Sequence, residues 1–308
     1  MSHLGLPRLL VFLSLCLVLG PATASRVALV IGNGAYTDTS ALPNASNDGR
    51  AMAERLRGLG FEVFEGIDQN RGQMQSLIAH FSRALRDAEV GLFFYAGHGM
   101  QVEGENHLVP VNAVIKDDAD LPFQTIPVDI ILRQMERAVP TRLVFLDACR
   151  DNPLARSLAR SLGGTSRSVS VDQGLAQMQA GIGTLIAYAT EPDAVALDGE
   201  GSNSPFTTAL LKHLDTPGLE VRTLLTRVRQ DVLNATDNKQ VPWDHSSLTG
   251  EFYFLPQSLP GELPTVTHEK PEVTPDPAME LAFWQSAQSI QEPAAKRLAL
   301  EAYLARYP

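Results

Sequence analysis

The chain has 308 residues, which is enough for one large domain or two modest ones. Apolar residues make up 44% and charged residues 19%, a balance that excludes a largely disordered chain. The net charge of -10 and the aromatic content of 6% argue against a nucleic-acid partner, because nucleic-acid binding requires a basic surface and stacking side chains. An acidic protein is better suited to a basic ligand.

Residues 1–24 have the pattern of a secretory signal peptide. A single charged side chain, Arg8, precedes an apolar run over residues 9–19, and residues 22–24 (ATA) form an A-x-A cleavage site. The run is shorter than the about 20 residues of a membrane-spanning helix, so an uncleaved membrane anchor is the less favoured alternative. The sequence therefore predicts an exported protein, periplasmic or secreted, with no stable membrane insertion after the signal is removed.

Short apolar runs alternate with amphipathic segments along the mature chain. We predict strands at residues 26–31, 61–64, 90–96, 142–146, 184–189 and 252–254. We predict helices at residues 47–59, 71–88, 128–138, 205–214 and 221–233. This alternation is typical of the α/β class with a mostly parallel sheet. A main domain is thus expected over residues 25–255, followed by a Pro-rich linker at residues 256–278 and a helical C-terminal segment at residues 279–308.

Two reactive side chains follow neighbouring predicted strands. His98 comes just after the third strand and Cys149 just after the fourth. Ligands bind beyond the carboxyl ends of parallel strands, and consecutive strands are usually neighbours, so both residues are expected at one functional edge. Cys149 is the only cysteine left once Cys16 departs with the signal peptide. A lone thiol is either buried filler or a reactive group, and this placement favours the reactive group.

Motifs of several other enzyme classes are absent from the sequence. It contains no H-E-x-x-H, no G-x-S-x-G and no P-loop motif, and its histidines lack metal-ligand spacing. Gly32-Asn33-Gly34 follows the first strand as in a dinucleotide-binding loop. However, Thr37 stands at the third glycine position and Pro43 comes before the next helix, so dinucleotide binding is disfavoured.

Eight short motifs occur in order between residues 26 and 254. They are residues 28–36 (ALVIGNGAY), 42–48 (LPNASND), 95–99 (YAGHG), 146–153 (LDACRDNP), 186–190 (IAYAT), 204–207 (SPFT), 240–243 (QVPW) and 246–254 (SSLTGEFYF). With these motifs the chain closely resembles the bacterial metacaspase-like, or caspase-fold, cysteine peptidases. The resemblance implies a three-layer caspase-like sandwich around a central, mostly parallel, six-stranded sheet. It also implies a cysteine endopeptidase.

The resemblance further implies roles for individual residues. Cys149 would be the nucleophile and His98 the acid/base, while the backbone N–H groups of Gly99 and Cys149 would form the oxyanion hole. Asp147 and Asp48 would bind the Arg or Lys side chain that precedes the cleaved bond. The alternative for each of these two carboxylates is a helix cap or a loop acid. The expected partners are protein or peptide substrates with basic residues, and the oligomeric state is not indicated.

No cofactor and no metal are expected. Some family members bind calcium through several aspartates, and oxygens are offered here by Asp117, Asp118, Asp120 and Asp129. Asn112 stands where a further ligand is expected, and a solvated loop is the alternative explanation of this acidic run.

The stretch after Cys149 contains candidate sites for self-cleavage. An enzyme that prefers Arg would meet Arg160, Arg167 and Arg156 in this Gly- and Ser-containing stretch of its own chain, which predicts self-cleavage there. The alternative is a short basic helix at residues 153–162 that is never cut.

The alternative to an enzyme is a non-catalytic caspase-fold binding or scaffold module. Because Cys149 and His98 are both present, the enzyme is the favoured interpretation.

Overall fold

The structure is a computed structural model that describes residues 25–149, 171–172, 175–178, 181–191 and 196–257. Cys149 and residues 171–172 are described by their backbone alone. The predicted signal peptide, the candidate cleavage sites Arg156, Arg160 and Arg167, and the predicted helical segment at residues 279–308 lie outside these ranges. In the described part of the chain, no helix has the length and apolar character needed to cross a membrane.

Nine strands belong to one sheet in the described ranges. They are β1 Arg26–Gly32, β2 Phe61–Ile67, β3 Val90–Val102, β4 Glu105–Leu108, β5 Ile126–Pro127, β6 Thr141–Cys149, β7 Val171–Asp172, β8 Thr184–Tyr188 and β9 Trp243–Ser246. The main path runs β2-β1-β3-β6-β8-β9 and is parallel except for β9. The prediction of a mostly parallel, six-stranded central sheet is confirmed. The short strands β4, β5 and β7 form an antiparallel extension at the end of β3.

The helices of the described part are α1 Pro43–Gly58, α2 Arg71–Ala84, α3 Leu121–Gln124, α4 Val128–Ala138, α5 Pro205–His213 and α6 Val221–Ala235. Helices α1, α5 and α6 pack on one face of the sheet, and α2 and α4 pack on the other. Successive side chains of a strand point to opposite faces, so Phe94 joins the first core while Phe93 joins the second. This arrangement is the expected three-layer sandwich.

The start of one predicted helix and the existence of one predicted strand differ from the structure. Helix α1 begins at Pro43 and not at residue 47, because proline at the first helical position lacks an N–H that would be unbonded there anyway. The predicted strand at residues 252–254 is wrong: Tyr253 forms only an isolated bridge with Glu220. Phe252 and Phe254 are apolar because they fill the first core.

Candidate active site

His98 and Cys149 lie side by side at the carboxyl edge of the sheet. Strands β3 and β6 pair in parallel from Val90 opposite Thr141 to His98 opposite Cys149. Strand β3 continues past its predicted end at residue 96, so His98 lies within the strand and not in a loop after it. The backbone pairing therefore places His98 directly opposite Cys149 on the neighbouring strand.

Two tyrosines hold the backbone of His98. The hydroxyl of Tyr36 accepts a hydrogen bond from the His98 N–H at 2.7 Å, and the hydroxyl of Tyr95 donates to the His98 carbonyl at 2.7 Å. Gly97 makes this packing feasible, because its φ of 152° disfavours other residues. A Cβ at that position would also stand 2.7 Å from each tyrosine hydroxyl oxygen.

The imidazole of His98 is buried and oriented by a backbone carbonyl. Only 1% of His98 is exposed, and its ring packs against Tyr36 with centroids 4.4 Å apart. Nε2 lies 2.8 Å from the carbonyl oxygen of Ser40. Because a carbonyl oxygen only accepts, Nε2 carries the proton and Nδ1 carries the lone pair. Nδ1 is buried and has no hydrogen-bond partner among the described residues.

Burial also favours the neutral form of this imidazole. Desolvation lowers the pKa of His98, and the hydrogen bond to Ser40 opposes this shift without cancelling it. At neutral pH the ring is therefore uncharged and can accept a proton at Nδ1. These are the properties of a general base.

Gly99 and Cys149, the residues expected to supply the oxyanion hole, lie within one position of each other on paired strands. Gly99 is also the first residue of β3 that pairs with the antiparallel strand β4. A Cβ at Gly99 would come within 3.0 Å of Leu175 Cδ2 and 3.2 Å of Ala148 Cβ. Glycine therefore suits the close packing of the backbone at this corner of the site.

A cluster of buried carboxylates surrounds the start of α5. Asp147, two positions before Cys149 on β6, accepts hydrogen bonds at Oδ2 from Ser204 Oγ at 2.5 Å and Thr207 Oγ1 at 2.8 Å. Asp48 accepts at Oδ1 from Asn203 Nδ2 at 2.8 Å and the Ser204 N–H at 3.0 Å. Asp147 is 5% exposed and Asp48 is 1% exposed. The structure thus brings together the two carboxylates singled out for substrate binding.

Crowding makes these carboxyl groups hard to ionise. Burial, followed by the nearby Asp147 carboxylate, raises the pKa of Asp48 to about 8. Burial raises the pKa of Asp147 to about 6, although hydrogen bonds from Ser204 and Thr207 favour its ionised form. Asp198 adds a third negative charge that acts on both carboxyl groups. Within the described residues, the hydrogen-bond donors to Asp147 and Asp48 are neutral hydroxyl, amide and backbone N–H groups.

Residues 25–253 match the family described as the caspase domain, which is well over half of the chain. The chain belongs to the caspase-domain family. The family is a cysteine peptidase family, in agreement with the pairing of His98 with Cys149.

Two curated relatives match a shorter stretch of the chain. The human protein named mucosa-associated lymphoid tissue lymphoma translocation protein 1 is 31% identical over 134 residues, which is 42% of this chain and 16% of that protein. Its mouse homolog is also 31% identical over 134 residues, covering 42% of this chain and 15% of the homolog. The chain therefore aligns with only a small part of either relative.

Sequence reasoning missed three groups of the caspase domain's site. Ser40 contributes a backbone carbonyl, which every residue has, so no residue type indicates it. Asn203 and Ser204 lie in a polar loop whose contact with Asp48 spans about 155 positions of the chain. Asp48 itself is not the cap of α1, because that helix begins five positions earlier. The alternative that Asp48 caps α1 is therefore wrong.

Three of the four acidic residues considered for calcium have other partners in the structure. Asp117 accepts from the Ala119 N–H at 3.0 Å, and Asp120 accepts from the Lys116 N–H at 2.8 Å. Asp129 forms an exposed ion pair with Arg133 at 3.2 Å. In residues 25–149 and the other described ranges, no group of three or more His, Cys, Asp or Glu side chains is arranged to hold a metal ion. The expectation of no cofactor and no metal, with calcium as the less favoured alternative, stays a prediction.

Replacing Asp48 with asparagine is expected to stabilise the unliganded protein in alkaline buffer. In the folded state Asp48 keeps its proton up to about pH 8, whereas its ordinary pKa is 3.8. The unfolded state therefore loses this proton first, and the wild type loses stability as pH rises from about 4 to about 8. Asp48→Asn cannot ionise, so at pH 8 its Tm should exceed that of the wild type by at least about 3 °C.

Thermal unfolding of both proteins at pH 4.5 and pH 8 measures this effect. The difference in Tm should shrink at pH 4.5, because this pH is close to the ordinary pKa of 3.8 and the wild type has lost little stability there. An Asp48→Asn variant that is less stable than the wild type at pH 8 would contradict the assignment of a raised pKa.

Proposed function

We propose that this caspase domain is a cysteine endopeptidase that hydrolyses peptide bonds after Arg or Lys. The observation that carries the proposal is the placement of three features on one sheet edge. His98 and Cys149 are register partners, and the buried carboxylates of Asp147 and Asp48 lie beside them. A nucleophile, a base and two carboxyl groups able to bind a basic side chain therefore share one site.

The residues support an acyl-transfer mechanism. The Cys149 thiol gives its proton to Nδ1 of His98, and the thiolate attacks the carbonyl carbon of the substrate. The tetrahedral oxyanion accepts hydrogen bonds from the backbone N–H groups of Gly99 and Cys149. The intermediate then collapses as His98 returns the proton to the leaving amine, which leaves an acyl group on the sulfur. Water, deprotonated by His98, attacks this thioester and releases the carboxylic acid product and the thiol.

Charge complementarity supports the preference for basic residues. The two carboxyl groups have neutral hydrogen-bond donors and repel each other's ionised forms. A guanidinium or ammonium group entering the pocket supplies the opposite charge and favours ionisation of both carboxyls. An acidic substrate side chain would instead add a further negative charge to a buried cluster, which is strongly unfavourable.

Fluorogenic peptides that differ only in the residue before the cleaved bond test the proposal. Purified protein should cleave peptides with Arg or Lys there and leave the Asp peptide intact. Cys149→Ala, prepared in parallel, controls for contaminating peptidases. If no member of a diverse peptide library is cleaved and Cys149 resists an Arg chloromethylketone probe, the protein is better explained as a non-catalytic scaffold.

We further propose self-processing after Arg160 or Arg167, with Arg156 as the next candidate. The proposal follows from the basic-residue preference and from the position of these residues in the sequence, since all three lie outside the described residues. On incubation, the wild-type protein should produce fragments that end at these arginines, and mass spectrometry identifies them. Wild-type protein that stays intact, or equal nicking of Cys149→Ala, would contradict self-processing.

A further inference from the structure

The loop between β1 and α1 carries two of the groups that orient His98. Tyr36 contributes the hydroxyl that accepts from the His98 N–H, and its ring covers the imidazole. Ser40 contributes the carbonyl that accepts from Nε2. The position of the catalytic base therefore depends on a loop of ten residues, 33–42, which has no regular secondary structure.

One carboxylate oxygen ties this loop to the rest of the fold. Oδ1 of Asp68, just after β2, accepts from the Gly34 N–H at 2.8 Å, the Ala35 N–H at 2.9 Å and Ser46 Oγ at 2.7 Å. The N–H of Asp68 in turn donates to the Gly32 carbonyl at 2.9 Å. Asp68 thus joins the start of the loop, the first turns of α1 and the end of β1.

The backbone of Asp68 is held in an uncommon conformation to make these bonds. Its φ is 53°, in the left-handed region that a non-glycine residue rarely adopts. Such a conformation persists where the surrounding contacts favour it, and it is frequent at functional sites. The conformation and the three bonds to one oxygen indicate that the side chain at this position is specifically required.

The Gly32-Asn33-Gly34 motif, which fitted no nucleotide site, belongs to the same arrangement. A Cβ at Gly32 would stand 2.4 Å from the Ala45 carbonyl oxygen, and one at Gly34 would stand 2.3 Å from the Leu42 carbonyl oxygen. Asn33 accepts from the Gln69 N–H at 2.9 Å and donates to the Val109 carbonyl at 3.2 Å. Gly32 therefore allows α1 to pack closely on the end of β1, and Gly34 allows the start of the loop to approach its end at Leu42. Asn33 bonds to the segment that follows Asp68.

We propose that Asp68 is a positioning residue for His98, acting through the loop at residues 33–42. The inference rests on the proposed peptidase function for its kinetic consequence only. Its structural content is that the Asp68 carboxylate fixes Tyr36 and Ser40, and through them the tautomer and the burial of the imidazole. Burial disfavours ionisation of Asp68, but its hydrogen bonds and nearby Arg50 outweigh burial, so the pKa of Asp68 lies below its usual value. The carboxylate is therefore ionised wherever the peptidase would work.

The variant Asp68→Gly removes the carboxylate while tolerating the positive φ, and Asp68→Asn keeps an acceptor oxygen at the same place. Asp237→Gly is a matched control, because Asp237 is an exposed aspartate with a φ of 49° at the end of α6. Ser46→Ala removes one of the three hydrogen bonds and serves as a milder second variant. All four substitutions are made in the full chain.

The first readout is the pKa of His98, measured by NMR titration of its imidazole. In Asp68→Gly we expect this pKa to move from its lowered value toward the ordinary 6.5, because water gains access to the ring. Asp68→Asn and Asp237→Gly should keep the wild-type value, and Ser46→Ala should show a smaller shift in the same direction. An unchanged His98 pKa in both Asp68→Gly and Ser46→Ala, or an equal shift in Asp237→Gly, would overturn the inference.

The second readout is turnover of an Arg peptide. Misplacing a catalytic group lowers the rate of the chemical step, so kcat of Asp68→Gly should fall by about 10- to 100-fold while KM changes less than about twofold. Asp68→Asn should recover most of this loss. If the wild type cleaves no peptide, the proposed function fails, while the NMR titration still decides the inference. If the wild type is active and Asp68→Gly keeps its kcat, the inference alone fails.

Discussion

Cys149→Ala is expected to abolish peptide cleavage, with kcat/KM falling to the level of the uncatalysed background. The methyl group that replaces the thiol cannot form the acyl intermediate. His98→Ala should reduce kcat/KM by on the order of 10³-fold or more, because the thiol then lacks its base and the leaving amine lacks its acid. The two residues act as one unit, so the double variant should be no worse than Cys149→Ala.

Both effects are measured with one Arg fluorogenic peptide, and thermal unfolding of each variant monitors the fold. His80→Ala is the matched control for the histidine, since His80 is exposed on α2. This control should retain the wild-type rate. A Cys149→Ala protein that keeps most of its activity would show that another group is the nucleophile. Loss of cleavage in His98→Ala together with loss of the folded state would leave Cys149→Ala as the decisive variant.

Much of the sheet and of the helical layers could be predicted because burial produces clear sequence patterns. The buried central strands β3 and β6 appear as continuous apolar runs, and α4 has the bounds that its apolar spacing predicts. The neighbouring placement of His98 and Cys149 followed from the general order of parallel strands. These inferences depend on local periodicity and on general topology, and both are encoded within short stretches of the sequence.

Other parts of the fold leave little local signal. Strand β9 is an edge strand with one exposed and three partly exposed residues, so it has no apolar run that would reveal it. Phe252 and Phe254 do form an apolar pattern, but their side chains fill the core while the segment itself does not form a strand of the sheet. Edge pairing is determined by the neighbouring strand β8, which lies about 60 positions away in the chain.

The site shows the same limit. Motifs identify Cys149, His98, Asp147 and Asp48, but the groups that orient them act through their backbone or through contacts between distant segments. Ser40 contributes a carbonyl, and Asp68 meets its partners only after β1 and β2 have paired. Such contacts depend on the three-dimensional fold, so they cannot be predicted from short stretches of the sequence.

The acidic pocket has two explanations, and they differ in what they predict. Asp147 accepts from Ser204 Oγ and Thr207 Oγ1, so it stabilises the first turn of α5 whether or not a substrate binds. A purely structural role predicts that a change at Asp147 harms all substrates alike. A role in specificity predicts a loss confined to substrates with a charged basic side chain, because a buried charge pair loses one partner.

Asp147→Asn keeps the size of the side chain and removes its charge, and a pair of peptides with Arg or its neutral isostere citrulline separates the two explanations. For the Arg peptide we expect kcat/KM to fall about 100-fold, equivalent to about 3 kcal/mol, while kcat/KM of the citrulline peptide changes little.

The pH dependence of the wild type gives a second test, read from the ratio of kcat/KM for the Arg peptide to kcat/KM for the citrulline peptide. Titration of His98 affects both values equally, so it does not change this ratio. In the wild type this ratio should rise between about pH 6 and pH 8, because the raised pKa values of Asp147 and Asp48 leave the pocket protonated at the lower end. An equal loss for both peptides in Asp147→Asn, with a flat ratio in the wild type, would show that these carboxyl groups hold α5 in place and do not select the substrate.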